Sequence, residues 1–237
     1  GTLTAAALPA ALEEAGVEAA RLHLWWGDER FVEPDSEERN EVGVRASLLD
    51  VLREEHGLPA RNVHVMPSPA DGMSLEDAAA WYGQQLDQTG GDEPFRTRGQ
   101  AFFDVLLLGV GPDGHIASLF PQHPAQEKVL GSAVAVTGSP KPPSQRISLT
   151  WPVLNSARHV ALLVAGEEKA AAVRAAQDSR MAGAMRDRGS WRSTARFVRS
   201  VVMSDSSGCG VGAGVRSERA RISVMAVAVS TSRTAAS

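Results

Sequence analysis

The apolar run Val105-Leu106-Leu107-Leu108 ends abruptly in Gly109-Val110-Gly111-Pro112-Asp113-Gly114-His115. Four consecutive large apolar residues closed by glycine read as a strand buried on both faces, the kind found in a parallel sheet covered by helices. Ionisable groups therefore emerge at the carboxyl end of a central strand, where open α/β sheets border their ligand crevice. Glycine at such a place admits a close backbone approach that a Cβ would block. Asp113 and His115 suit general-base chemistry, because imidazole titrates near neutral pH and a neighbouring carboxylate orients the ring and stabilises the imidazolium. A plainer reading has Asp113 capping the next turn and His115 packing or facing solvent, and spacing alone leaves both open.

The rest of the chain alternates helical and strand patterns. Helices are expected over residues 5–20, 40–53, 74–87 and 167–176, and strands over residues 22–26, 63–66, 102–108, 132–137, 146–150 and 159–164. Ser74-x-x-Asp77 is a capping-box variant that opens the third helix. Residues 90–99 read as a polar loop. This alternation implies βαβ crossovers and an α/β fold with a largely parallel, Rossmann-like sheet, helices on both faces and a single domain.

Charge divides the chain. Residues 1–177 hold 14 Lys+Arg against 24 Asp+Glu, whereas residues 178–237 hold 10 Arg and 4 acids. An acidic body argues against nucleic acid as the ligand, since phosphate backbones select basic surfaces. The single cysteine, Cys209, excludes an internal disulfide and a cysteine metal cluster. No apolar run reaches the roughly 18 residues of a membrane span, so a cytoplasmic protein without membrane contact is expected. His23, His56, His64, His123 and His159 lack paired ligand spacing and read as structural or solvated, and no metal site is expected.

The string Gly109-x-Gly111-x-Asp113-Gly114-His115-x-x-Ser118-Leu119-Phe120-Pro121 resembles the signature of 6-phosphogluconolactonases, which hydrolyse 6-phosphogluconolactone in the oxidative pentose phosphate pathway. Four further segments are similar to that family's motifs, in its order: Leu24-Trp25-Trp26-Gly27-Asp28-Glu29-Arg30, Glu38-Arg39-Asn40, Arg146-Ile147-Ser148-Leu149-Thr150 and Gly166-Glu167-Glu168-Lys169-Ala170. The resemblance runs from Gly1 to about residue 176. It implies a cofactor-free hydrolase of a phosphorylated sugar lactone, with His115, Asp113 and Asp28 in catalysis. It implies substrate or phosphate contacts from Gly1, Thr2, Arg30, Arg39, Asn40, Gly111, Gly114, Lys141, Arg146 and Lys169. Oligomeric state is not legible in the residues. A related class, the glucosamine-6-phosphate deaminases, shares the Asp-Gly-His turn but carries a further Glu where Phe120 stands. A third reading is a non-catalytic or misfolded relic of the fold that still binds sugar phosphates.

Both ends depart from the family pattern. Members begin earlier, with a strand and a phosphate loop of which Gly1-Thr2 would be the remnant. After Leu163 the chain has no leucine, and residues 178–237 form an Arg/Ser/Gly/Ala/Val segment with little to build a core. The expectation is a lactonase-like domain over residues 1–177 and a tail over 178–237 that is not native to the fold. An out-of-frame translation of a GC-rich coding sequence would produce such a tail, and a natural basic tail is the alternative.

Overall fold

Strands form where the apolar runs predict them, and a computed structural model gives their arrangement over residues 2–14, 16–89, 103–128, 130–164, 166–181, 201–203 and 222–228. In chain order the elements are α1 (Thr2–Glu14), β1 (Leu22–Trp26), β2 (Asp28–Arg30), α2 (Asn40–Val44), α3 (Asp50–Glu54), β3 (Val63–His64), α4 (Leu75–Thr89) and β4 (Val105–Gly109). There follow β5 (Ala133–Val136), β6 (Arg146–Leu149), α5 (Trp151–Ser156), β7 (His159–Val164), α6 (Ala170–Met181), β8 (Val201–Met203) and β9 (Ile222–Ala228). A π-helical turn, Arg45–Leu49, joins α2 to α3, so the single helix expected there is divided. The expected loop at residues 90–99 lies outside the described residues.

Six strands form a wholly parallel sheet in the order β3-β1-β9-β4-β7-β8. The α/β, Rossmann-like class is thus present. A second sheet, β2-β6-β5, is antiparallel and was not legible in the sequence pattern. Its origin is connection length: a single residue, Gly27, separates β1 from β2, and parallel neighbours need a crossover of about a dozen residues or more. The chain therefore leaves the first sheet at Gly27 and enters the second at once.

Two segments from the region expected to lie outside the fold are strands of the parallel sheet. Strand β9 runs between β1 and β4, in register Leu24↔Val224 and Val105↔Val224, and β8 pairs with β7. Leucine is missing there, but Ile222-Ser-Val-Met-Ala-Val-Ala carries the β-branched, apolar composition of a central strand. The expected boundary at residue 177 falls inside α6.

The core is aliphatic and aromatic, with Leu22, Leu24, Trp25, Trp26, Leu106 and Leu108 fully or almost fully buried. Each such side chain contributes on the order of 2 kcal/mol by leaving water. Tyr82 of α4 closes a gap at the sheet edge. Strand β3 stops at His64, and the Trp26 amide donates instead to the Tyr82 hydroxyl at 2.8 Å, while that hydroxyl faces the carbonyls of Trp26 and His64. A buried amide needs such a partner. Burial pushes the Tyr82 phenol far up, so it stays protonated.

Glu29 anchors β2 to α2. Its buried carboxylate accepts the amides of Arg30, Asn40 and Glu41 at 2.7–2.9 Å, satisfying the first N–H groups of α2 from outside the helix. Burial pushes its pKa up, against the pull of Arg39 and those three amides. Glu29→Ala is expected to cost about 3 kcal/mol or more, because each orphaned buried N–H costs ~1–3 kcal/mol. Glu29→Gln, which keeps an acceptor, is expected to cost less. Urea denaturation of the two variants checks this, and equal losses would refute the capping role.

Candidate active site

The loop after β4 folds back on itself. The Gly114 amide donates to Gly111 O at 2.9 Å and the Gly111 amide to His115 O at 3.0 Å, and Gly114 adopts a φ of 84°. Both glycine amides are therefore engaged inside the loop. The part played by Gly111 is steric. A Cβ there would lie 2.1 Å from His115 Nδ1 and 2.6 Å from Asp113 Oδ1.

Into that space fits the pair the sequence singles out. His115 Nδ1 lies 2.6 Å from Asp113 Oδ1, with the imidazole buried and the carboxylate half-exposed. Lys141 Nζ sits 3.4 Å from the same oxygen. Burial acts to raise the Asp113 pKa, but the His115 hydrogen bond, His115 charge and Lys141 outweigh it and hold the carboxyl below its usual value. An ionised carboxylate only accepts, so His115 carries its proton on Nδ1 and leaves the Nε2 lone pair as the basic site. Burial also lowers the His115 pKa, against the opposing pull of Asp113, which favours the neutral base.

Phe120, fully buried, packs its ring 4.6 Å from the His115 imidazole, and the Arg146 guanidinium lies 5.5 Å from the centre of that same ring. Arg146 donates to the carbonyls of Lys141, Pro142 and Pro143, tying the 139–144 loop to β6. Arg30 stands directly opposite Arg146 in the β2–β6 register, and its Nη1 donates to Glu38 O. Asp28 is buried. Its Oδ2 accepts from Ser118 Oγ at 2.5 Å, its Oδ1 has no partner among the described residues, and its charge acts on both His115 and Arg146.

Other candidates fall elsewhere. Arg39 and Asn40 are buried, with Arg39 Nη2 donating to Met66 O at 2.7 Å and Asn40 Nδ2 to Asp28 O at 2.8 Å. In this arrangement they brace the frame: an arginine at a helix start that meets free carbonyls is drawn inward by them. Lys169 ends the 3-10 turn Glu167–Lys169 after β7, the neighbour of β4, so it stands at the same carboxyl edge as the His115 loop. Gly1 lies outside the described residues, and Thr2 enters only as the first residue of α1. His23 and His64 share a 2.9 Å hydrogen bond and His64 stacks on Trp25, while His123 accepts the Ala125 amide. Among the described residues no three His, Cys, Asp or Glu side chains gather as a metal site. Ser118 sits in the signature string without an expected role because it is not ionisable, whereas Phe120 enters the sequence reading only as the residue in place of the deaminase Glu.

Residues 1–188 match the family described as glucosamine-6-phosphate isomerases/6-phosphogluconolactonase. The chain belongs to that family. It is 45% identical over 170 residues to a 6-phosphogluconolactonase of Streptomyces coelicolor, a match covering 71% of this chain and 63% of that one. The chain thus spans less than two thirds of that relative. A 6-phosphogluconolactonase structure from Thermotoga maritima matches with a TM-score of 0.57 at 23% identity, over 86% of this chain and 72% of that one. A monomeric glucosamine-6-phosphate deaminase matches with a TM-score of 0.59 at 17% identity, over 94% of this chain and 79% of that one. Fold likeness does not separate the two chemistries, so the site has to.

Gly111→Ala is expected to break the His115–Asp113 pair while costing about 1–3 kcal/mol from overpacking. The downfield Nδ1 proton of His115 in one-dimensional NMR reports the pair. Its persistence in the variant would show that the pair tolerates a side chain at position 111.

Proposed function

We propose that this chain carries the site of a 6-phosphogluconolactonase, hydrolysing 6-phosphogluconolactone to 6-phosphogluconate with no metal or cofactor. The observation that carries this reading is a buried imidazole whose Nδ1 lies 2.6 Å from the Asp113 carboxylate and whose Nε2 takes no hydrogen bond among the described residues, with burial lowering the imidazole pKa and His115 and Lys141 lowering that of the carboxyl. Water bound at Nε2 gives up a proton to it as the water oxygen bonds to the lactone carbonyl carbon. The tetrahedral intermediate collapses with cleavage of the ring C–O bond, and the imidazolium returns its proton to the departing ring oxygen. Lys141 and Arg146 supply positive potential for the oxyanion.

Phe120 favours hydrolysis over deamination. The deaminase-type reading needs a carboxylate to move protons at that position, and a buried phenyl ring against His115 cannot do so. For the phosphate we propose Lys169, which ends the turn that follows β7, with Arg30 and Arg146 as the positive background. The substrate is then a phosphorylated sugar lactone, and the expected setting is the cytoplasm; no helix among the described residues is long and apolar enough to cross a membrane.

His115→Ala is expected to lower kcat by roughly 10²–10⁴-fold, the scale of lost general-base assistance, after subtraction of spontaneous lactone hydrolysis. In the parent, kcat/KM is expected to rise with pH through an apparent pKa below the ordinary imidazole value of about 6.5, because burial lowers it. Asp113 favours the imidazolium, so Asp113→Asn shifts that pKa further down. Lys141 disfavours it, so Lys141→Met shifts it up. Turnover by His115→Ala within threefold of the parent, or shifts of opposite sign, would defeat the mechanism.

Lys169→Ala is expected to raise KM for the phosphorylated lactone about tenfold or more, a loss that added salt reduces because salt screens the same attraction. Glucono-lactone, which lacks the phosphate, serves as the control. An equal effect on both lactones would remove Lys169 from phosphate binding.

A further inference from the structure

The turn after His115 is strained. Ala117 has a φ of 52°, and the Leu119 amide donates to Ile116 O at 2.9 Å to close the turn around it. An L-residue in the left-handed region crowds its Cβ against the following carbonyl. Such a conformation persists only where the surroundings over-determine it. The amide-to-carbonyl bond does not select it alone, since such a bond is compatible with several turn types.

The restraint comes from the next residue. Ser118 is fully buried, and both of its polar ends are engaged by the antiparallel sheet. Its Oγ donates to Asp28 Oδ2 at 2.5 Å on β2, and its amide donates to Ser148 Oγ at 3.2 Å on β6. Asp28 and Ser148 are themselves paired across that sheet, in register Asp28↔Ser148. Ser148 Oγ in turn donates to Leu149 O, which leaves its lone pairs for the Ser118 amide. A single cross-strand pair therefore holds Ser118 at two points.

We propose that Ser118 is a positioning residue for His115, fixing the left-handed turn at Ala117 through the Asp28–Ser148 pair. The inference rests on the reading of His115 as the general base. The loop is pinned internally, where the Gly111 amide meets His115 O, and externally at Ser118. Without the external pin, Ala117 relaxes to a negative φ. The peptide planes on either side then rotate, and His115 shifts against Phe120. Because Arg146 lies on the same strand as Ser148, the pin also fixes the imidazole relative to that guanidinium. Asp28 acts through Ser118 in this arrangement, not as a group that exchanges protons with substrate.

The test is Ser118→Ala in the full chain, with 6-phosphogluconolactone as substrate. Misplacing a catalytic group by about 1 Å costs on the order of 10²-fold in rate. The expected result is a kcat lowered about 10- to 100-fold, a KM within threefold of the parent, a cooperative thermal melt and an altered apparent pKa in the pH profile. Adding Ala117→Gly, which removes the steric drive to leave the left-handed region, is expected to recover at least threefold of that loss. If Ser118→Ala does not fold, Ser118→Cys carries the test: its weaker thiol donor is expected to lower kcat with KM preserved. His115→Ala, measured in parallel, separates the two claims. If His115→Ala loses at least 100-fold while the serine variants stay within twofold of the parent, the positioning role is wrong and the base assignment stands. A drop in kcat that Ala117→Gly does not relieve would also overturn it, since relief of the turn is the proposed route.

Discussion

One residue, Gly27, separates a strand of the parallel sheet from a strand of the antiparallel one, and the geometry of the site follows from that short passage. The chain has no room for a crossover, so Asp28, Glu29 and Arg30 are delivered directly beyond the carboxyl end of β1 and pair with Ser148, Ile147 and Arg146. The Leu149 amide donates to Gly27 O at 2.8 Å, extending that pairing to the point of passage. Three consecutive buried polar residues on β2 would be costly without partners. Glu29 finds the amides of α2, Asp28 finds Ser118, and Arg30 finds Glu38 O. The polar strand thereby becomes the wall of a site.

Electrostatics at that wall are set by burial and by a few close charges. Asp113 stays ionised because His115 and Lys141 outweigh its partial burial, and His115 stays neutral because burial outweighs Asp113. The two directions reinforce one another: an ionised acceptor fixes the tautomer, and a neutral ring keeps a lone pair for proton transfer. The Phe120 ring packs against both groups, 4.6 Å from the His115 imidazole and 5.5 Å from the Arg146 guanidinium. A carboxylate at that position would compete with Asp113 for the proton.

Gly111 shows how such a site resists drift. Its role in the fold is ordinary, a loop residue after a strand, yet the space where its side chain would stand is occupied by the His115 ring and the Asp113 carboxylate. Close packing of functional groups against a bare backbone makes the pair dependent on a residue that carries no chemistry of its own. Ser118 is a second case, acting from three positions beyond the histidine.

The sequence by itself determined the parallel α/β class, the β4 edge and the identities of Asp113 and His115, because those rest on local signals: an apolar run, its glycine terminator and ionisable residues within a few positions. It also carried Ser74 and Asp77, whose side chains bond as the capping pattern requires. Tertiary structure alone decided the antiparallel sheet, the inward turn of Arg39 and Asn40, and the placing of β9 between β1 and β4. Each of these joins residues far apart in the chain, such as Ser118 with Asp28 or Val224 with Leu24. Such pairings are fixed by which buried polar groups must find partners, and no local periodicity records that.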